Sequence, residues 1–295
     1  MNLPTLLATK AWRALRREMR LKRGDILSAT FGMTYKCNLR CTTCGVWVRG
    51  ENDTEVELTT EEILTTARQL REMGVDLAIL VGSEPLLRRD SLTIVEGMRA
   101  LGLDVDIITN GTLFTEATSE RVVKAGVRAV TISLDGIGER HDRIRGQERA
   151  YERSMKGLAR LRQVKERLNS ERPTLAVHAT ISLTNTDELV AISNLSEELG
   201  LEVSFQLASE ASEAEVTGTT LDGAVVAGEE FISRDGSFLP DAEGMRRIRA
   251  FLARPGVLKR HPSLAILSGM SDADIMAGRF PIRTCNVVEG EILID

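Results

Sequence analysis

Cysteine is scarce in this chain: there are four in 295 residues. That is no disulfide framework, so the fold must rest on an ordinary buried core. Long apolar runs are missing too, and no segment reaches the length needed to span a bilayer. Residues 1–23 lack the uninterrupted apolar core of a signal peptide, because basic residues run through them. The expected location is therefore the cytoplasm. Nor is there an excess of positive charge. The formal net charge is −5, which argues against broad non-specific nucleic-acid binding.

What the chain does have is alternation. Apolar residues make up 42% of it, and they fall first in strand-like and then in helix-like patterns. The patterning predicts strands over Leu27–Tyr35, Val75–Val81, Asp104–Thr109, Ala129–Leu134, Thr174–Leu183 and Glu202–Leu207. Helices are expected over Thr60–Met73, Ser91–Leu101, Glu116–Ala125, Ala150–Leu168 and Thr186–Leu199. Gly74, Gly102, Gly126 and Gly200 stand where a left-handed residue would end a helix. Thr59 and Thr60 with Glu61 and Glu62 read as an amino-terminal cap.

Strands alternating with helices imply a parallel sheet with right-handed crossovers. Six strands fall short of the eight of a closed barrel, so the expected fold is α/β, an open partial (β/α)6 barrel over residues 25–208. Residues 1–24 fit an amphipathic helix with Leu3, Leu7, Ala11, Leu15 and Met19 on one face. Its basic side reads either as a solvated surface or as a contact with an anionic membrane or a partner. Residues 209–295 read as a linker and an incomplete carboxyl-terminal extension, ending in EILID, which looks like the start of a strand and suggests truncation.

Cys37, Cys41 and Cys44 fall in one run, KCNLRCTTC, after the first strand. A cubic iron–sulfur cluster has four iron corners, normally all held by protein thiolates. A C-x3-C-x2-C loop supplies three, which leaves one corner for something that is not protein. Clustered cysteines can also hold zinc, but zinc usually takes four ligands in paired form, and no second pair exists. His141 and His178 lie far away in sequence. Inert thiols are the remaining alternative.

In α/β architecture, chemistry gathers at the carboxyl ends of the strands. Gly82-Ser83-Glu84-Pro85 follows the second strand. Its glycine would let backbone approach a ligand, Glu84 could accept from an ammonium group, and Pro85 would stiffen the turn. Thr109-Asn110-Gly111 follows the third strand and Ser133-Leu134-Asp135-Gly136 the fourth. Each is weak alone, since ordinary turns look similar.

Together, in this order, the motifs resemble the radical S-adenosylmethionine (radical SAM) enzymes, from about Leu27 to Leu207. The resemblance implies that Cys37, Cys41 and Cys44 hold a 4Fe–4S cluster. S-adenosylmethionine would chelate the unique iron through its amino and carboxylate groups. One electron would cleave the sulfonium, and the resulting 5′-deoxyadenosyl radical would take hydrogen from a peptide or small-molecule precursor. Gly82, Ser83, Glu84 and Pro85 match the Gly-Gly-Glu-Pro that helps hold the methionine amino group, with Ser83 departing from glycine. Asn110 and Ser133 match positions that contact the methionine or ribose. Thr43 stands where an aromatic is common, and Trp47 could supply that wall or simply pack in the core.

His141-Asp142-Arg143-Ile144-Arg145-Gly146 resembles a segment of relatives with SPASM or twitch extensions. There Arg145 would bind a carboxylate, or alternatively cap a helix in a salt bridge. His178 and Gln206, in late strands, are read as core polar residues or as substrate contacts. Cys285 would be either a ligand to an auxiliary iron–sulfur cluster, whose other ligands lie outside this chain, or a small hydrophobe. A reducing partner such as flavodoxin or ferredoxin is implied. The alternative function is a non-catalytic iron–sulfur electron carrier or S-adenosylmethionine-binding protein.

Overall fold

The computed structural model describes residues 19–20, 23, 25–51, 57–208, 220–221, 224–225, 238–277 and 291–294. Most of the helix expected over residues 1–24, most of the polar stretch after residue 208, and Cys285 lie outside the described residues.

The expected strands form, with trimmed ends. They are β1 (Ser28–Gly32), β2 (Leu77–Val81), β3 (Asp104–Thr109), β4 (Ala129–Ser133), β5 (Thr174–Ile181) and β6 (Glu202–Leu207). All are parallel, and they line up in sequence order from β1 to β6. A seventh strand, Glu291–Ile294 in the EILID segment, pairs parallel with β1 on its free side. The sheet is an open partial barrel of α/β type.

β1 ends three residues earlier than the apolar pattern implied. The backbone turns at Met33, whose N–H donates to the Val81 carbonyl at 3.0 Å. That turn launches the cysteine loop instead of prolonging the strand.

Helices α2 (Thr60–Glu72), α3 (Ser91–Ala100), α4 (Glu116–Lys124), α6 (Ala150–Arg167) and α7 (Leu189–Glu198) match the expected ones within a few residues. α2 shows why. Thr59 and Glu62 close a reciprocal capping box, and Ile63, Ala67 and Leu70 recur on the buried face. Gly74, Gly102, Gly126 and Gly200 all take positive φ, as helix stops require. Two short helices, α1 (Val46–Glu51) and α5 (Glu139–Arg145), were not expected from the pattern.

One core lies between β1–β4 and the helices α2, α3, α4 and α6. Phe31, Leu80, Ile107 and Val130 meet Ile94, Met98, Val122 and Leu161 there. Each such buried side chain stabilises by about 1.5–3 kcal/mol. A second core joins Val177, Ile181, Val203 and Phe205 of β5 and β6 to Ile192 of α7 and to helix α8 (Ala242–Leu252), through Ile248 and Phe251. Val81, Ile108, Ser133 and Thr180, on the opposite, concave face of the strands, line the site.

Candidate active site

The three cysteines ring one cavity of about 210 Å³ at the carboxyl edge of the sheet. Gly82, Ser83, Asn110, Ser133, Asp135, Arg145 and Thr180 line it with them. The ends of β2, β3, β4 and β5 thus contribute jointly, as their order in the sheet dictates. Glu84 and Pro85 stand behind that lining.

Backbone bonds hold the cysteine loop to the β2 turn. Ser83 N–H donates to the Thr34 carbonyl at 3.0 Å, and Glu84 N–H to Lys36 at 3.2 Å. Gly82 has φ +115, and a Cβ there would lie 2.8 Å from the Thr34 oxygen. Only glycine fits that approach.

The Glu84 carboxylate is wholly buried and accepts three hydrogen bonds. One oxygen accepts from the Thr109 hydroxyl (2.8 Å) and Leu86 N–H (3.0 Å), the other from Asn110 N–H (2.8 Å). Burial pushes its pKa up, and those donors only partly offset this. Glu84 ties the end of β2 to the end of β3. The Ser83 hydroxyl is buried without a hydrogen-bond partner.

Asn110 is also committed internally. Its amide donates to Asn38 at 2.9 Å and accepts from Thr112 N–H at 2.9 Å. Its carbonyl takes the Ser154 hydroxyl of α6 at 2.7 Å. Ser133 ends β4 facing the cavity.

α5 is strapped to the cysteine loop. Arg40 N–H donates to the Arg145 carbonyl at 3.1 Å, and Thr42 N–H to Ile144 at 2.9 Å. Gly146, at φ +62, ends α5 so close that a Cβ would fall 2.0 Å from the Arg40 oxygen. The strap places Arg145 2.8 Å from Asp135 and 3.7 Å from the Cys41 sulfur. Burial works against the guanidinium charge, but Asp135 and Cys41 more than offset it, so its pKa is raised. Asp135 also accepts from Thr180 N–H at 2.9 Å, and its own N–H donates to His141 Nδ1 at 3.2 Å. Burial, then the Arg145 charge, push His141 down to about 3. His141 is a neutral clamp.

Pattern reading missed Thr180 as part of the site, and Thr109 and Asp135 were visible only as letters of strand-end motifs. Arg145 forms its salt bridge with Asp135 inside the site. Trp47 lines the cavity, donates to the Cys41 carbonyl at 3.2 Å, and carries the Arg40 guanidinium 5.1 Å from its ring centre.

Burial raises Cys37 to about 11 and raises Cys44 as well. No three His, Cys, Asp or Glu among the described residues sit close enough to share one metal ion. The thiols encircle the cavity instead of meeting at a point. That suits a cluster, in which each thiolate binds a different iron, better than zinc, which needs its ligands converging.

Residues 32–171 match the family model described as the radical SAM superfamily. An AdoMet-dependent heme synthase of Methanosarcina barkeri is 35% identical over 172 residues, covering 57% of this chain and 46% of the relative. A probable GTP 3',8-cyclase of Methanocella arvoryzae is 38% identical over 112 residues, covering 38% of this chain and 35% of the relative. The chain thus spans less than half the length of these curated relatives. In fold, it is similar to Streptococcus suis SuiB bound to precursor peptide SuiA. The TM-score is 0.60 at 16% identity, covering 100% of this chain and 63% of that one.

Proposed function

From the premise that this chain belongs to the radical SAM superfamily, we propose that it is an enzyme that abstracts hydrogen from a biosynthetic precursor. The observation that carries the reading is three thiols around one cavity, with no fourth cysteine or histidine lining it among the described residues. The family's cofactors are a 4Fe–4S cluster and S-adenosylmethionine, and the residues present fit both. Cys37, Cys41 and Cys44 would hold three corners of the cluster. Two buried polar atoms lining the cavity lack partners, Ser83 Oγ and Arg145 Nε. An amino-acid head group offers the complementary ammonium and carboxylate.

When bound, the pair supplies reductive cleavage of the sulfonium and hydrogen abstraction. The chain's own residues do the positioning. Asp135 holds Arg145 beside the cysteine loop, so the guanidinium presents its remaining N–H groups in a fixed direction. Leu39, Val81 and Ile108 give the cavity apolar walls, which exclude water from a reactive species.

The substrate belongs to the same proposal. The concave face beside the cavity carries Ser133, His178, Thr180, Ser204 and Gln206, all neutral side chains apart from an ionisable imidazole. The one arginine lining the cavity is paired with Asp135. A triphosphate would want unpaired cations there. The face therefore favours a substrate without a dense negative charge, either a peptide or a small precursor of the kind that the heme synthase name points to.

The test is anaerobic reconstitution, then dithionite and S-adenosylmethionine, with 5′-deoxyadenosine as the readout. Product formation is expected. An intact cluster that yields none would favour the non-catalytic electron carrier instead. An electron donor of flavodoxin or ferredoxin type, a cytoplasmic location, and an auxiliary cluster through Cys285 belong to the proposal too. Cys285→Ala should leave the first cluster in place. No helix among the described residues is long and apolar enough to cross a membrane.

A further inference from the structure

The three thiols are not equivalent. Leu39 N–H donates to the Cys37 sulfur at 3.4 Å, and the Val46 and Trp47 N–H groups at the start of α1 donate to the Cys44 sulfur. Cys41 is met by a charged donor instead. Arg145 Nη1 donates to its sulfur at 3.7 Å, while Nη2 of the same guanidinium lies 2.8 Å from the Asp135 carboxylate. The cation contacts the sulfur, and the carboxylate contacts the cation.

That charge is fixed and poorly screened. The Arg145 side chain is 12% exposed and the Asp135 side chain 5%, so water and salt weaken its field little. An arginine keeps its proton under ordinary conditions. Among the described residues, no other arginine and no lysine lines the cavity. The strap that places it is made of backbone, from Arg40 N–H to the Arg145 carbonyl and from Thr42 N–H to Ile144. The loop is therefore held independently of what the Arg145 side chain does. Reducing an iron–sulfur cluster adds negative charge to it, and charges and hydrogen bonds at its sulfurs set the potential at which this happens. A buried cation on one sulfur favours the reduced state. A carboxylate behind that cation opposes it.

We propose that Arg145 raises the reduction potential of the cluster through its contact with the Cys41 sulfur, and that Asp135 is a positioning residue that aims the guanidinium and moderates its charge. This rests on the radical SAM reading and names what regulates electron uptake at that site. The step is a single electron transfer. An external donor of flavodoxin or ferredoxin type, or dithionite, is oxidised by one electron and the cluster is reduced by one, with no bond made or broken. Arg145 thus has a redox task besides presenting its free Nε to a ligand.

The test is a redox titration of the cluster-loaded full chain without S-adenosylmethionine, followed by electron paramagnetic resonance. Arg145→Gln keeps an N–H donor and removes the charge. Its equilibrium constant for reduction should fall about tenfold or more, a drop in potential of about 59 mV or more for one electron. Asp135→Asn keeps an acceptor for Thr180 N–H and removes the opposing charge, so its potential should rise. Shifts of opposite sign from two neutral replacements separate charge from mere support of the loop. An unchanged potential in Arg145→Gln, or shifts of the same sign in both variants, would overturn the inference. So would loss of the cluster from both, which is the mark of a structural pair. If Arg145→Gln alone loads no cluster, Asp135→Asn decides: a rise supports the inference, and no change or a fall refutes it. A wild type that forms 5′-deoxyadenosine while neither variant shifts leaves the radical SAM reading standing and removes only the redox role. A wild type that holds no cluster sinks both.

Discussion

The two ends of the sheet are built on opposite electrostatic plans. At the amino end, β1 to β5 each carry an aspartate or arginine at or just before the strand start, and these charges pair. Asp104 accepts from Arg99 and Arg172, each at 2.7 Å, and Asp106 from Arg128 Nε at 2.8 Å. Asp76 pairs with Arg20 and Arg71, and Arg20 also reaches Asp25 at 3.0 Å. At the carboxyl end, Glu84 accepts hydrogen bonds from neutral donors only, a single Arg145–Asp135 pair stands beside three thiols that share a cavity, and two buried polar atoms lining that cavity have no partner. One end is closed by its own charges. The other is left for ligands to complete, which is where function can be placed without cost to the fold's closure.

The largest test of that contrast is Cys41→Ala. Iron content and the visible absorption of the reconstituted protein should fall to background, and the same holds for Cys37 and Cys44. A full cluster in the Cys41 variant would refute the ligand assignment. Next in size is Gly146→Ala. Left-handed backbone and a 2.0 Å approach to Arg40 should cost more than about 2 kcal/mol and loosen the cysteine loop. Urea unfolding and cluster loading should both report it.

Titration should separate the two ends. His141 has a folded pKa of about 3 against 6.5 unfolded. The unfolded chain then binds the extra proton, so stability is lost as pH falls from 6.5 toward 3, by at most about 1.4 kcal/mol per unit. His141→Gln should remove that slope, measured by urea unfolding between pH 7.5 and 5; an unchanged slope means the clamp is misassigned. Asp104 responds lower. Burial opposes its charge, but Arg172 and Arg99 more than offset this and hold its pKa below 3.8. Its contribution is present above 3.8 and lost only as pH falls below that. Asp104→Asn should be the smallest effect, about 1 kcal/mol or less and weakened by salt. A larger, salt-independent loss would show that the amino end is more than a belt of surface pairs.

The sheet was legible because β2 to β5 alternate with helices whose buried positions recur every three or four residues, and glycines end them. The cysteine loop was legible from spacing alone. What escaped was everything fixed by distance in space. α1 and α5 are one to two turns long, too short for periodicity to count. α5 exists through its strap to Arg40 and Thr42, some hundred residues earlier. That the Glu84 carboxylate accepts from Thr109 and Asn110 follows only from the fold. His178 could be placed on a strand, but its neighbour Ser204 follows from β5–β6 register.

The strap has a consequence for how the protein is made. The loop that carries the thiols is held by Ile144 to Gly146, about a hundred residues further along the chain, so it can take this shape only once that later segment is present and folded against it.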